Sequence, residues 1–195
     1  MPVVPDMESF LGKNINSICK NRFHDPAMNH CAHFVCHAMG FDFSFNCQDY
    51  KGGNKPAANI RVHEVFANCP RVGKWSDADT SRSQLIFVTR TNVVNIAAGT
   101  MQNIPQKHIG IYHNGHVYHY SNTNDQVVKQ TVPAFFARFQ AAYSGTQGLF
   151  FCFNKDGKVL WQRDFGTGSP IGAQEPPVPI RQIRTRLYWY PHGDR

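Results

Sequence analysis

The segment KHIGIYHNGHVYHYS, residues 107–121, constrains the fold more than any other part of the sequence, because it predicts a β-hairpin. Asn114-Gly115 is a dipeptide favoured in two-residue hairpin turns. With this turn, His113 pairs with His116 and the side chains alternate between the two faces of the sheet. One face then carries His108, Gly110, Tyr112, Val117, His119 and Ser121. We expect His108 and His119 to lie within hydrogen-bonding reach, with Gly110 leaving a gap between them.

The segment NHCAHFVCHAMGF, residues 29–41, has the apolar spacing of an α-helix. Asn29 is a suitable N-cap residue, and Gly40 is expected to end the helix. Cys31 then lies in the first turn, where backbone N–H groups and the helix dipole lower the pKa of a thiol and can bind an oxyanion. The alternative is a core cysteine that only continues the apolar stripe.

The same helix contains possible zinc ligands, namely Cys31, His33, Cys36 and His37. Helix geometry argues against a zinc site, because Cys31 and His33 point about 160° apart. The pairs that do share a face, His33 with His37 and His30 with His37, would need further ligands from elsewhere in the chain. We therefore expect no metal and no cofactor.

The remaining elements complete a pattern of helices followed by strands. A first helix, capped by Asp6, and a short helix near residues 58–69 are predicted from apolar spacing. SQLIFVTR reads as a buried strand, TVPAFFARFQAAYSG as a covering helix that Thr131 caps, and GLFFCFNKDGKVLWQR as a second hairpin. Residues 1–165 are expected to form one domain, and the Gly/Pro-rich residues 166–195 an arm of unknown role.

The chain has six cysteines, and none are in C-x-x-C spacing. A chain of 195 residues does not need disulfides to fold, so most of them are expected to be small buried apolar residues. Disulfides stay possible if the protein works outside the cytosol, but the sequence does not pair the six residues: Cys19, Cys31, Cys36, Cys47, Cys69 and Cys152.

The chain is basic, with 20 Lys and Arg against 13 Asp and Glu and a net charge of +7. This charge favours anionic partners such as nucleic acid, a membrane surface or an acidic wall polymer. The basic residues are scattered and no RNA-binding motif is present, so we do not expect a nucleic-acid partner. The sequence lacks both a signal peptide and the roughly 20 apolar residues of a membrane span. We expect a protein that is made in the cytoplasm and has no membrane span.

The two segments resemble those of the NlpC-type cell-wall cysteine hydrolases, a branch of the papain-like fold. NHCAHFVCHAMGF is similar to the family's Cys-Ser/Ala-x-Phe-Val helix, and KHIGIYHNGHVYHYS is similar to its His-Val-Gly-Ile-Tyr and His-Ala-Ser strand pair. The resemblance implies an α+β, papain-like (NlpC-type) fold in which N-terminal helices, including the nucleophile helix, pack on an antiparallel sheet. It also implies a Cys-His-His triad, with Cys31 as nucleophile, His108 as base and His119 as the third residue. The family usually has Asp before the cysteine, where this chain has His30.

The resemblance implies a cysteine amidase or endopeptidase that cleaves peptidoglycan stem peptides through a thioester, at the γ-D-glutamyl to diaminopimelate bond. The early cysteine and the segment ANIRVHEVF resemble small amidase effectors that bacteria inject by type VI secretion. This implies action in the periplasm or cell wall and a cognate immunity protein as partner. Two alternatives stay open: an acyltransferase, deamidase or transglutaminase-like toxin with the same triad, and a non-catalytic module that binds an anionic polymer.

Overall fold

The computed structural model describes residues 6–19, 24–25, 27–40 and 60–152, all within the unit Met1–Arg163. Its strands are β1 (Val72–Lys74), β2 (Gln84–Arg90), β3 (Val94–Asn95), β4 (Thr100–Met101), β5 (Lys107–His113), β6 (His116–Ser121), β7 (Gln126–Thr131) and β8 (Gln147–Cys152). Six strands form an antiparallel sheet in the order β1-β8-β2-β5-β6-β7, and β3 pairs with β4. No helix in the described ranges is long and apolar enough to cross a membrane.

The α-helices are α1 (Ile15–Ile18), α2 (Cys31–Met39), α3 (Val62–Ala67) and α4 (Val132–Ala142). Gly40 ends α2 in the left-handed conformation, with φ of 66°, as predicted. The Thr131 side chain caps α4 by accepting a hydrogen bond from the N–H of Ala134. Together, these helices and the antiparallel sheet confirm the expected α+β class.

The β5–β6 hairpin has the predicted register, with His113 opposite His116. Asn114 and Gly115, with φ of 47° and 81°, form its turn, and positive φ at both central residues matches the right-handed twist of the strands. The prediction of this hairpin is confirmed. It fixes which residues of each strand face which layer of helices.

Different helices cover the two faces of the main sheet. Buried residues of α2 pack in a core with Ile109 of β5. On the other face, Phe135 of α4 packs in a second core with Val117 of β6. Because successive residues of a strand point to opposite faces, His108 and His119 project toward α4 and away from α2.

The single helix predicted at the N-terminus is wrong, because the chain forms a 3₁₀ turn at Met7–Phe10 and then α1. Gly12 separates them, with φ of 71°, a conformation that Gly adopts without strain. The backbone here pairs with β7: Gly12 N–H donates to the Val127 carbonyl, and Val127 N–H donates to the Lys13 carbonyl. The apolar spacing of the segment gives no indication of this strand-like contact with β7.

A disulfide joins Cys69, just after α3, to Cys152 at the end of β8. The sequence alone does not predict this pairing, which involves two of the six cysteines. Cys31 and Cys36 are free thiols, both buried within α2. The predicted Asp-Gly turn after β8, Cys47 and the arm 166–195 lie outside the described residues.

Candidate functional site

Two imidazoles and an amide form a hydrogen-bonded chain on the α4 side of the sheet. His108 Nε2 lies 3.0 Å from His119 Nδ1. His119 Nε2 lies 2.8 Å from Oε1 of Gln130, on the neighbouring strand β7. Gly110 allows this arrangement, because a Cβ there would come within 2.6 Å of the Val117 side chain and 3.1 Å of His119 Cβ. The structure therefore brings together two of the three residues in the predicted triad, His108 and His119.

The hydrogen bonds fix which ring nitrogens carry protons. An amide oxygen only accepts, so Gln130 Oε1 requires a proton on His119 Nε2. Neutral His119 then accepts at Nδ1 a hydrogen bond from His108 Nε2–H. Neutral His108 is left with a lone pair on Nδ1. That atom has no hydrogen-bond partner among the described residues, so it is available as a base.

Aromatic rings of α4 surround both imidazoles. Phe139 stacks on His108 with ring centroids 4.3 Å apart, and Phe135 lies edge-on to His119 at 5.1 Å. Burial lowers the pKa of His119 to about 4, and the nearby positive charge of Arg138 acts in the same direction. Burial, together with His119 and Arg138, also holds the pKa of His108 well below its ordinary value. Both rings are therefore neutral at neutral pH.

Cys31 begins α2 and lies in the core on the opposite side of the sheet, where it is 2% exposed. Burial raises the pKa of its thiol to about 12, against smaller opposing effects from hydrogen bonds of the Ile109 and Ala32 backbone. The expected low-pKa thiolate is absent from this state, because loss of hydration outweighs the helix terminus.

The N-terminus of α2 also differs from the prediction. His30, not Asn29, is the N-cap residue. The Asn29 side chain instead accepts a hydrogen bond from the Cys31 backbone N–H, at 3.0 Å. This N–H was the predicted donor to an oxyanion, and it can serve as one only if Asn29 moves away.

Cys31 contacts β5, the strand that carries His108, without a described hydrogen bond to either imidazole of the pair. Within the described residues, no hydrogen bond links its thiol to His108 or His119, and the thiol lies against the backbone of Ile109, one residue from His108. Two surface cavities of about 580 Å³ each lie elsewhere, one beside residues 92–96 and one beside Trp75. Burial raises the pKa of the Tyr143 phenol, the thiol also lies near enough to raise it, and Tyr143 packs on Phe139, the ring that stacks on His108.

A second histidine chain lies along α2. His30 Nε2 is 2.9 Å from the Asp25 carbonyl oxygen, and His30 Nδ1 is 3.0 Å from His33 Nδ1. His33 Nε2 is 3.0 Å from His37 Nε2, one helical turn further on. The thiol of Cys19, which follows α1, also hydrogen-bonds His33. Ligand atoms of Cys19, His33 and His37 all lie within 4.8 Å of one another, close enough for a metal ion to contact them together.

Sequence reasoning did not identify Gln130, Phe139 or Cys19 as members of these clusters. Gln130 could have been found only by predicting β7 as the partner of β6, since it then lies diagonal to His119 across the strand pair. The sequence places Phe139 on the apolar face of its helix, but it does not show that this face covers His108. Cys19 carried no local signal, because its position beside His33 depends on how α1 packs on α2.

Comparisons of this chain with protein-family models, with curated proteins and with solved structures gave no significant match. The geometry of its own residues, together with the two motif resemblances in its sequence, is therefore the basis for a functional assignment. The histidine relay of His108, His119 and Gln130 and the buried thiol of Cys31 are the features that any assignment has to explain.

Proposed function

We propose that the protein is a cysteine amidase or endopeptidase of the NlpC-type, papain-like fold that cleaves peptidoglycan stem peptides. The observation that carries the proposal is the lone pair on His108 Nδ1, which the relay through His119 to Gln130 leaves available. A cysteine nucleophile needs such a base, and the base needs a group that fixes its tautomer. Gln130 adds a fourth member to the Cys31, His108 and His119 set.

The reaction has two steps. Cys31 Sγ attacks the amide carbonyl and transfers its proton to His108 Nδ1, which passes it to the leaving amine, so that a thioester forms as the C–N bond breaks. His108 then takes a proton from water, the hydroxide oxygen bonds to the acyl carbon, and the thiol leaves with that proton. The products are a carboxylic acid, an amine and the original Cys31.

The burial of the Cys31 thiol and the capping of its N–H by Asn29 make substrate binding part of the mechanism. The Cys31 thiol must give up its contact with the Ile109 backbone to attack a carbonyl, and Asn29 must release the Cys31 N–H before it can bind the oxyanion. Asn29 is exposed, so its side chain is accessible to a bound peptide. We therefore expect low thiol reactivity in the resting protein and higher reactivity when a peptide is bound.

The test is mass spectrometry of purified peptidoglycan fragments after incubation with wild type, Cys31→Ala and Cys36→Ala. The two variants are matched, because both remove a buried thiol of α2. Wild type and Cys36→Ala should cut at the γ-D-glutamyl to diaminopimelate bond, and Cys31→Ala should not. Undiminished cleavage by Cys31→Ala, or no cleavage by folded wild type, contradicts the proposal.

The relay is tested by substitutions at its histidines. His108→Ala should remove nearly all cleavage, and His119→Ala should reduce it less, because water can partly replace an orienting group. His116→Ala is the control, since this residue lies beside the turn of the same hairpin and outside the relay. Loss of cleavage in the control alone would contradict these roles.

One observation favours a second candidate, a non-catalytic module that binds an anionic polymer. The buried Cys31 thiol, whose raised pKa keeps it protonated at neutral pH, is what a core cysteine would show. Alkylation of Cys31 over a pH series, with and without a stem peptide, separates the two candidates. Acceleration by the peptide supports the hydrolase, whereas a thiol that stays inert with the peptide present supports the binding module.

A further inference from the structure

We propose that Cys19, His33 and His37 bind one Zn²⁺ ion. Their ligand atoms lie within 4.8 Å of one another. His33 and His37 come from successive turns of α2, and Cys19 comes from the residue that ends α1. Cys19 thus supplies the third ligand that the His33 and His37 pair of α2 lacks on its own.

The surroundings orient His33 as a ligand. A backbone carbonyl only accepts hydrogen bonds, so the Asp25 carbonyl requires a proton on His30 Nε2. Neutral His30 then accepts from His33 Nδ1–H. The lone pair of His33 is therefore on Nε2, the atom that faces His37. Metal-bound histidines are commonly held in this way, with the second ring nitrogen donating to a fixed acceptor.

The ligand atoms lie within 4.8 Å of one another, so holding the ion requires the widest pair to close by roughly 1 Å. Tetrahedral zinc with Zn–N of about 2.0 Å and Zn–S of about 2.3 Å places its ligand atoms roughly 3.3–3.6 Å apart. The two Nε2 atoms are 3.0 Å apart without the ion, so they must separate by a few tenths of an ångström. Cys19 and His33 are buried, whereas His37 is partly exposed and provides the side from which an ion enters.

The donor set selects the metal. One thiolate and two imidazoles suit zinc better than magnesium or calcium, which prefer oxygen ligands. Binding replaces the Cys19 S–H bond by an S–Zn bond and releases one proton to solvent, while the proton on His37 moves from Nε2 to Nδ1. Three protein ligands leave one coordination position for water or another group.

The experiment titrates the purified, metal-free full chain with Zn²⁺ by calorimetry in two buffers of different ionisation enthalpy, which counts released protons. Co²⁺ replaces Zn²⁺ in a parallel absorption measurement, where a thiolate ligand gives a charge-transfer band. We expect one ion per chain, about one proton released at neutral pH and a thiolate band. Cys19→Ala should abolish the band, and His37→Ala should weaken binding at least about tenfold.

Matched controls are Cys36→Ala, which removes another buried thiol near the cluster, and His116→Ala, which removes a partly exposed histidine elsewhere. Both should bind zinc like wild type. Unchanged binding in folded His37→Ala, or the absence of a thiolate band in folded wild type, overturns the proposal. The site is independent of the proposed hydrolase, because peptide cleavage by the metal-free chain and zinc binding are measured separately.

Discussion

The two histidine chains lie on opposite faces of the same sheet and follow the same pattern. On the α4 side, the side-chain oxygen of Gln130 fixes the protons of His119 and then of His108. On the α2 side, the backbone oxygen of Asp25 fixes those of His30 and then of His33. In each chain a group that can only accept determines the tautomers, so that His108 and His33 are each left with a lone pair on the ring nitrogen farther from that acceptor.

The difference lies in what surrounds that lone pair. At His108 the neighbours are the aromatic rings of α4, so the basic nitrogen Nδ1 has no other ligand atom beside it among the described residues. At His33 the neighbours are His37 and the Cys19 thiol, so several ligand atoms converge. Similar hydrogen bonding can therefore prepare either a base or a metal ligand, and the packing of the adjoining helix decides between them.

The largest expected effect is on acid stability, and both faces contribute to it, because burial also lowers the pKa of His30, on the α2 side, to about 4. Burial lowers the pKa of His119 from 6.5 to about 4, which corresponds to about 3 kcal/mol. As the pH falls, His119 takes up a proton in the unfolded chain near pH 6.5 but in the folded chain only near pH 4. This contribution to the free energy of unfolding is therefore complete above pH 6.5 and is lost as the pH falls toward 4. His108, whose pKa is also lowered, adds to the loss.

Urea unfolding of wild type and His119→Gln between pH 4 and pH 7 measures this effect. Gln cannot be protonated, so the variant should lose less stability than wild type on acidification. Parallel pH profiles for the two proteins would show that His119 is not held neutral by the fold.

A smaller effect is expected when the starting acceptor of each chain is changed. Gln130→Leu leaves the buried His119 Nε2–H without its partner and should lower the free energy of unfolding by about 1–3 kcal/mol. Asp25→Asn keeps both the backbone oxygen that His30 uses and a side-chain oxygen for the Ala27 N–H, and should cost about 0.5 kcal/mol or less. Urea unfolding of both variants at pH 7 measures the contrast, and equal losses would contradict the assigned acceptors.

The smallest effect concerns Tyr120, which connects the sheet to α1. Its hydroxyl accepts from Ile15 N–H at 3.1 Å and donates to Asp125 Oδ1 at 2.6 Å. Tyr120→Phe should cost about 1 kcal/mol and weaken zinc binding a few-fold, because α1 leads to Cys19. Calorimetry measures the affinity, and NMR titration of His119 is the control, since its pKa should stay unchanged. If Tyr120→Phe changed the pKa of His119 and left the zinc affinity unaltered, Tyr120 would act on the α4 side and not, as expected, on the α2 side.

Local signals explain which parts of the structure the sequence predicted. The hairpin register followed from alternation and Asn114-Gly115, so the contact between His108 and His119 was predictable. β7 has only a short apolar alternation, so Gln130 was not assigned to the relay. The burial of Cys31 depends on the whole layer of helices, which a sequence window does not contain. The sequence argues against zinc because α2 needs a further ligand from elsewhere in the chain, and Cys19 lies beside His33 through tertiary packing alone.

The disulfide between Cys69 and Cys152 turns most of the sheet into a covalent ring. The 83-residue separation of the two cysteines encloses the eight strands of the described residues and α4, while α1, α2 and α3 lie outside. A protease that cuts one peptide bond within the ring leaves a single covalent molecule until a reductant is added. A cut between α3 and Cys69 instead frees the segment that carries Cys31 from any covalent tie to the strands that carry His108 and His119.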